Sequence, residues 1–205
     1  MDPSKAMHVY ENLPLFGTGL ALGIFLVVLH LFMLMKAEGV QGFLKKFPRD
    51  NQIGQALVAV GLIWFWLIVQ PVDGGKMSFL AMDLGEQFNN WKPMLKFLVP
   101  ISIVLVSISI KEYLAVRALG LLGLMVAAPL LEAAFLEDPA SRLLIPIYCY
   151  ALIIASLYWV GMPYLFRDAV NWVSANQTRW KALCLGGLGY GLAIIACAFA
   201  FWRGY

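Results

Sequence analysis

Charge is what this chain has least of. Only 13% of its 205 residues are Asp, Glu, Lys or Arg, against about 25% in soluble domains. The formal balance of +3 is too small, and Lys45-Lys46 too short a basic run, for nucleic acid to be a partner. Histidine is nearly missing, with only His8 and His30. No H-E-x-x-H pair is present to hold a catalytic zinc, and a bis-histidine haem would lack its second intramembrane ligand. The cysteines Cys149, Cys184 and Cys197 are odd in number, lack CxxC spacing and lie in apolar segments. They read as small buried hydrophobes rather than as a disulfide framework or a metal site. No serine has the G-x-S-x-G neighbours of a nucleophile elbow. Glu137-Asp138 is a lone acidic pair where Mg²⁺-diphosphate chemistry wants several carboxylates. No catalytic group, cofactor or metal is expected.

What the chain has is apolar sequence. The hydrophobic content is 61% and the mean hydropathy +0.78, more than a domain of this size could hide from water. Lipid is the better solvent. The reading is an all-α, polytopic membrane helix bundle, a single transmembrane domain over 1–205. Its six spans fall at about 15–35, 53–70, 93–110, 118–136, 143–166 and 182–202. Between the first two, Val40, Phe43, Leu44 and Phe47 share one helical face with Lys45 and Lys46 off it, which suits a turn or two on the membrane surface. Trp64 and Trp66, and later Trp172 and Trp180, read as interface anchors. Gln55 and Gln70, at opposite ends of the second span, read as interface residues. Met77, Leu80, Ala81, Leu84, Phe88 and Trp91 recur at helical spacing, which predicts an outer interfacial amphipathic helix over about 76–92. It either packs on lipid or serves as a lid or docking surface. Gly161 and Pro163 are expected to bend the end of the fifth span.

The span count turns on Lys111, Glu112 and Arg117, set in apolar sequence with no turn residue nearby. At about 100° per residue, one continuous helix would point them in three directions. Each charge at the bilayer centre costs ~2.5–3.5 kcal/mol. A wet cytoplasmic hairpin is therefore expected there. Six spans put Lys36, Lys45, Lys46, Arg49, Lys111, Arg117, Arg167, Arg179 and Lys181 on one side, and Lys5, Lys76, Lys92, Lys96, Arg142 and Arg203 on the other. The richer side is expected to be cytoplasmic and both termini non-cytoplasmic, in a cell inner membrane. Asn176-Gln177-Thr178 matches a glycosylation sequon but falls on the cytoplasmic side.

Few residues suggest chemistry. His30 in the first span and Glu132 near the end of the fourth are the candidate intramembrane polar site, for a proton or a cation, with an interhelical hydrogen bond the plainer role for His30. Arg167-Asp168 reads as a salt bridge. Gly19 and Gly23, and Gly187 and Gly191, have the small-xxx-small spacing that lets helix backbones approach closely, with Gly186 and Gly189 widening the second face. These glycines serve packing within the chain or contact with another subunit. The expected partners are the bilayer and other membrane subunits or further copies of the chain. The expected function is a non-catalytic subunit or scaffold of a larger membrane assembly. A small channel or transporter for a proton, ion or neutral solute is the alternative.

Overall fold

The computed structural model describes residues 9–10, 12–70, 80–82, 86–109 and 113–204, with backbone alone at 86–87, 103–104 and 106–109. Among these the protein is all-helical. Helix α1 (Leu15–Met35) leads through Lys36 into α2 (Ala37–Lys46) and a 3-10 turn at Phe47–Arg49. Helix α3 (Asn51–Ile68) starts where the Asp50 carboxylate accepts the Gln52 and Ile53 N–H groups, each at 3.0 Å, satisfying donors that a helix N-terminus leaves unpaired. The short α4 (Glu86–Asn89) precedes α5 (Lys92–Ser109), α6 (Leu114–Ala133) and α7 (Leu144–Gly161). Then follow α8 (Tyr164–Ser174) and α9 (Gln177–Phe201), the last capped by the Asn176 side chain on the Thr178 N–H at 2.8 Å. Among the described residues five helices, α1, α3, α6, α7 with its leading turn, and α9, are long and apolar enough to cross a membrane.

Lipid tails are as apolar as leucine, so hydrophobicity alone holds no two of these helices together. Close approach and hydrogen bonds must do so. Glycine supplies the approach. Along the antiparallel α1–α9 seam, the Trp202 ring lies on Gly19, Gly23 meets Gly191 backbone to backbone, and the His30 ring lies on Gly187. A Cβ added to Gly191 would stand 3.0 Å from the Gly23 carbonyl oxygen. Trp202 closes one end, its Nε1–H donating to Ser141 Oγ at 2.8 Å. Trp180 closes the other, donating to the Met33 carbonyl at 3.2 Å. Helices α6 and α7 pack the same way, Ser156 lying against both Gly120 and Gly123.

Helices α3 and α6 run parallel. Gly54 meets Leu114 and Ala115 near their starts, and Gly61 meets Leu122 further along. Helix α5 starts beside the far end of α3, where Trp66 Nε1–H donates to the Lys96 carbonyl at 3.0 Å. Among the described residues two larger apolar clusters organise the bundle, with a smaller one of Val58, Leu114 and Ala118 beside them. Leu22, Leu26, Ala127, Leu130, Cys149 and Ile194 fill the half nearer the chain termini. Phe47, Ala115, Val116 and Phe166 hold the end where α2 and α8 lie.

Several expected boundaries move. The fourth span starts at Leu114 rather than 118, so Arg117 sits in the first turn of α6 and not in the hairpin. Nothing between Leu114 and Arg117 breaks a helix, and Leu114 and Ala115 pack on Gly54. Lys111 and Glu112 lie outside the described residues; Tyr113 just after them is left-handed, with φ 55°. Left-handed Leu136 lies past the end of α6 at Ala133, short of the expected 136. The fifth span stops at Gly161: Pro163 disfavours helical geometry at Met162, which sits at φ −130°, and α8 is a separate helix. Trp180 and Gln70, expected as interface residues, are buried within the protein, and Gln70 Nε2 donates to the Trp66 carbonyl. Of the expected amphipathic helix over 76–92, residues 76–79 and 83–85 are outside the described residues. Residues 80–82 are not helical, Met82 N–H bonding to the Ile68 carbonyl, and only Glu86–Asn89 precede α5 as helix.

Candidate functional site

A broad concavity lies where α1 and α2 part from α3, α6 and α8. It is an apolar cleft of about 790 Å³. Leu29, Phe32 and Met33 of α1 form one wall, Ile53 and Leu57 of α3 with Leu119 of α6 the other. Helix α2 supplies Gly39, Val40, Phe43 and Leu44, and Phe166 comes from α8. The aromatic rings close the floor: Phe47 lies 5.8 Å from Phe43 and 5.7 Å from Phe166, and Trp159 stands edge-on to Phe166 at 5.4 Å. Lys36, the hinge between α1 and α2, is the one charged residue in the lining, and it is exposed. A second apolar groove, about 580 Å³, runs along α1 toward the other end, between Leu22 and Phe25 of α1, Val126 and Leu130 of α6, and Tyr148 of α7.

The cleft exists because α2 folds back beneath α1 with its apolar face turned inward. Lys36 breaks the helix at φ −117° and ψ 39°. Val40, Phe43, Leu44 and Phe47 then point to one side, with Lys45 and Lys46 exposed. Beside this end, the Arg167 guanidinium pairs with Asp168 at 2.8 Å and donates to the Tyr113 hydroxyl at 3.2 Å. The Asp168 hydrogen bond and charge raise the Arg167 pKa further above its ordinary value. That contact ties the start of α6 to α8.

The sequence candidates lie elsewhere. The Nδ1–H of His30 donates to the Leu26 carbonyl of its own helix at 2.7 Å, which fixes the tautomer. Its ring packs on Gly187, so His30 and Gly187 share one contact. Glu132 is exposed near the end of α6, toward the opposite end of the bundle. The structure does not bring His30 and Glu132 together. Gly19, Gly23, Gly187 and Gly191 all lie on the α1–α9 seam, whereas Gly186 and Gly189 face open space. Among the described residues no three His, Cys, Asp or Glu side chains cluster as metal ligands would. Comparison with protein-family models, curated proteins and solved structures returned no match. Sequence reasoning missed the cleft. Its one legible sign was the apolar face of α2, whose covering role depends on where α3, α6 and α8 place their own side chains.

Proposed function

We propose that the chain is a six-span, non-catalytic membrane subunit, built to hold a fixed arrangement of helices rather than to pass a solute. The observation that carries this is the filled interior. Leu22, Leu26, Ala127, Leu130, Cys149 and Ile194 pack together at 9% exposure or less, where a channel would need a polar, hydrated lining. Two polar side chains near them bond to backbone carbonyls: His30 to Leu26, and Tyr190 to Leu144 at 2.6 Å. Among the described residues this packing lies between His30 and Glu132, which counts against the transport alternative.

The sixth crossing rests on geometry and chain length. The chain leaves α3 at one end of the bundle and enters α6 at the other, because the two helices are parallel. The five Cα–Cα steps from Ser109 to Leu114 reach at most about 18 Å, so the end of α5 must lie near the start of α6. Helix α5 therefore makes the return, about 27 Å for its eighteen residues, close to the ~30 Å bilayer core. The Lys/Arg distribution supports placing the α2 and α8 end in the cytoplasm.

Mild-detergent purification from native membranes tests the subunit reading. Other membrane proteins are expected in stoichiometric amount; recovery of the chain alone would sink the subunit reading. Liposomes containing the pure chain should show no proton or ion flux above protein-free vesicles. A flux lost in His30→Ala or Glu132→Gln would restore the transport reading.

A further inference from the structure

We propose that the cleft beneath α1 is a binding site for one anionic phospholipid, with an acyl chain among the apolar side chains and the phosphate at Lys36. The inference requires membrane insertion but not the subunit role, and either can fail without the other.

Three observations point to this occupant. The first is the chemistry of the walls. Phe32, Leu44, Leu57 and Leu119 offer only hydrocarbon, while Lys36 sits at the hinge where α1 ends. A cation at the mouth of a hydrocarbon slot matches the order of parts in a phospholipid, charged head then apolar tail. The volume of about 790 Å³ also lies within the ~300–1,000 Å³ typical of small-molecule sites.

The second is charge. Lys36, Lys45, Lys46 and Arg49 are all exposed along the segment that bounds the cleft. Of the acids on that segment, Asp50 is engaged as the cap of α3 and Glu38 is the other. The surplus is positive, as anionic headgroups require; basic pockets between transmembrane helices recognise such heads. Among the described residues no carboxylate pairs with Lys36.

The third is shape. The floor is closed by Phe47 and Phe166, and α2 crosses beneath. A transmembrane helix about 10–12 Å across could not continue past that floor, whereas an acyl chain entering from Lys36 needs no exit. Gly39 lies in the lining, and a Cβ built there meets nothing within 4 Å. Room for a chain is therefore left on the α2 side as well.

Native mass spectrometry of the purified full chain tests the site, with phosphatidylglycerol and phosphatidylcholine of identical acyl chains as probes. The expected result is one phosphatidylglycerol retained in preference to phosphatidylcholine. Lys36→Gln should weaken phosphatidylglycerol about fivefold, the loss of one basic contact, and leave phosphatidylcholine unchanged. Gly39→Trp should fill the slot and lose both lipids, with Gly39→Leu intermediate. Gly42→Trp, also in open space but outside the lining, should change nothing. If Gly39→Trp does not fold, Gly39→Leu decides. Equal retention of the two lipids by the unaltered chain, or full retention in the Gly39 variants, overturns the proposal. So does a dimer that Gly39→Trp disrupts, which would make a second copy the occupant.

Discussion

At the scale of single residues, the glycines on the α1–α9 seam decide more than the ionisable groups. Gly191 has the Gly23 carbonyl, Leu26 and Val27 all at 3.0 Å from where its Cβ would stand, so a larger side chain must push the helices apart. Overpacking costs typically 1–3 kcal/mol, about that here, and is steric, so lipid does not soften it. Gly191→Leu should lower the detergent melting temperature by several degrees. Gly187→Ala should do the same, and His30→Ala should rescue it, because the imidazole occupies the space the new methyl needs. Additive effects would place His30 off that seam. Ser156 gives the reverse expectation. It is fully buried and its hydroxyl lacks a hydrogen-bond partner among the described residues, so Ser156→Ala should leave thermal stability unchanged or raised. The spacing of the four glycines was legible in the sequence. That the two motifs face each other was not, because small-residue spacing says that a helix can be approached and not by what. For His30 the sequence showed an imidazole in a span; its carbonyl partner one turn back and the facing glycine are three-dimensional facts.

At the scale of elements, the long apolar helices were the easiest to read. The first span was expected at 15–35 and is found at Leu15–Met35, because Pro14 and Lys36 bracket an uninterrupted apolar run. Where boundaries moved, local chemistry outweighed hydropathy. Asn176 caps α9, whose first residue Gln177 lies five residues before the expected start at 182, and Pro163 divides one long hydrophobic stretch into α7 and α8. Asp50→Ala removes two cap bonds of α3 and should cost about 1 kcal/mol, measurable as a lower unfolding midpoint. The Arg167–Asp168 pair that sits beside Tyr113 is exposed at 42% and 52%. Ion pairs in such settings contribute roughly 0–1 kcal/mol, so Asp168→Asn should shift that midpoint by less than Asp50→Ala. A larger shift would mean that the Tyr113–Arg167 contact is what positions α6 against α8.

At the scale of the whole molecule, composition alone indicated a helix bundle in lipid, and the glycine seams explain how such a bundle stays together without a hydrophobic drive between its helices. Of the three charges at 111–117 that suggested a hairpin, Arg117 lies in the first turn of α6, and Lys111 and Glu112 fall outside the described residues. The cleft was far less legible. A cleft made by six segments leaves no motif, since each contributes ordinary leucines and phenylalanines whose meaning is their meeting place. The central claim is that α3 and α6 are parallel crossings and α5 returns the chain between them. Single cysteines at Glu38 and Asn171, both exposed, test it in a background lacking Cys149, Cys184 and Cys197, by labelling with an impermeant maleimide from one membrane face at a time. Six crossings put positions 38 and 171 on the same face, with Asn90 and Asp138 together on the other. Labelling of 38 and 171 from opposite faces would remove α5 as a crossing and contradict the account.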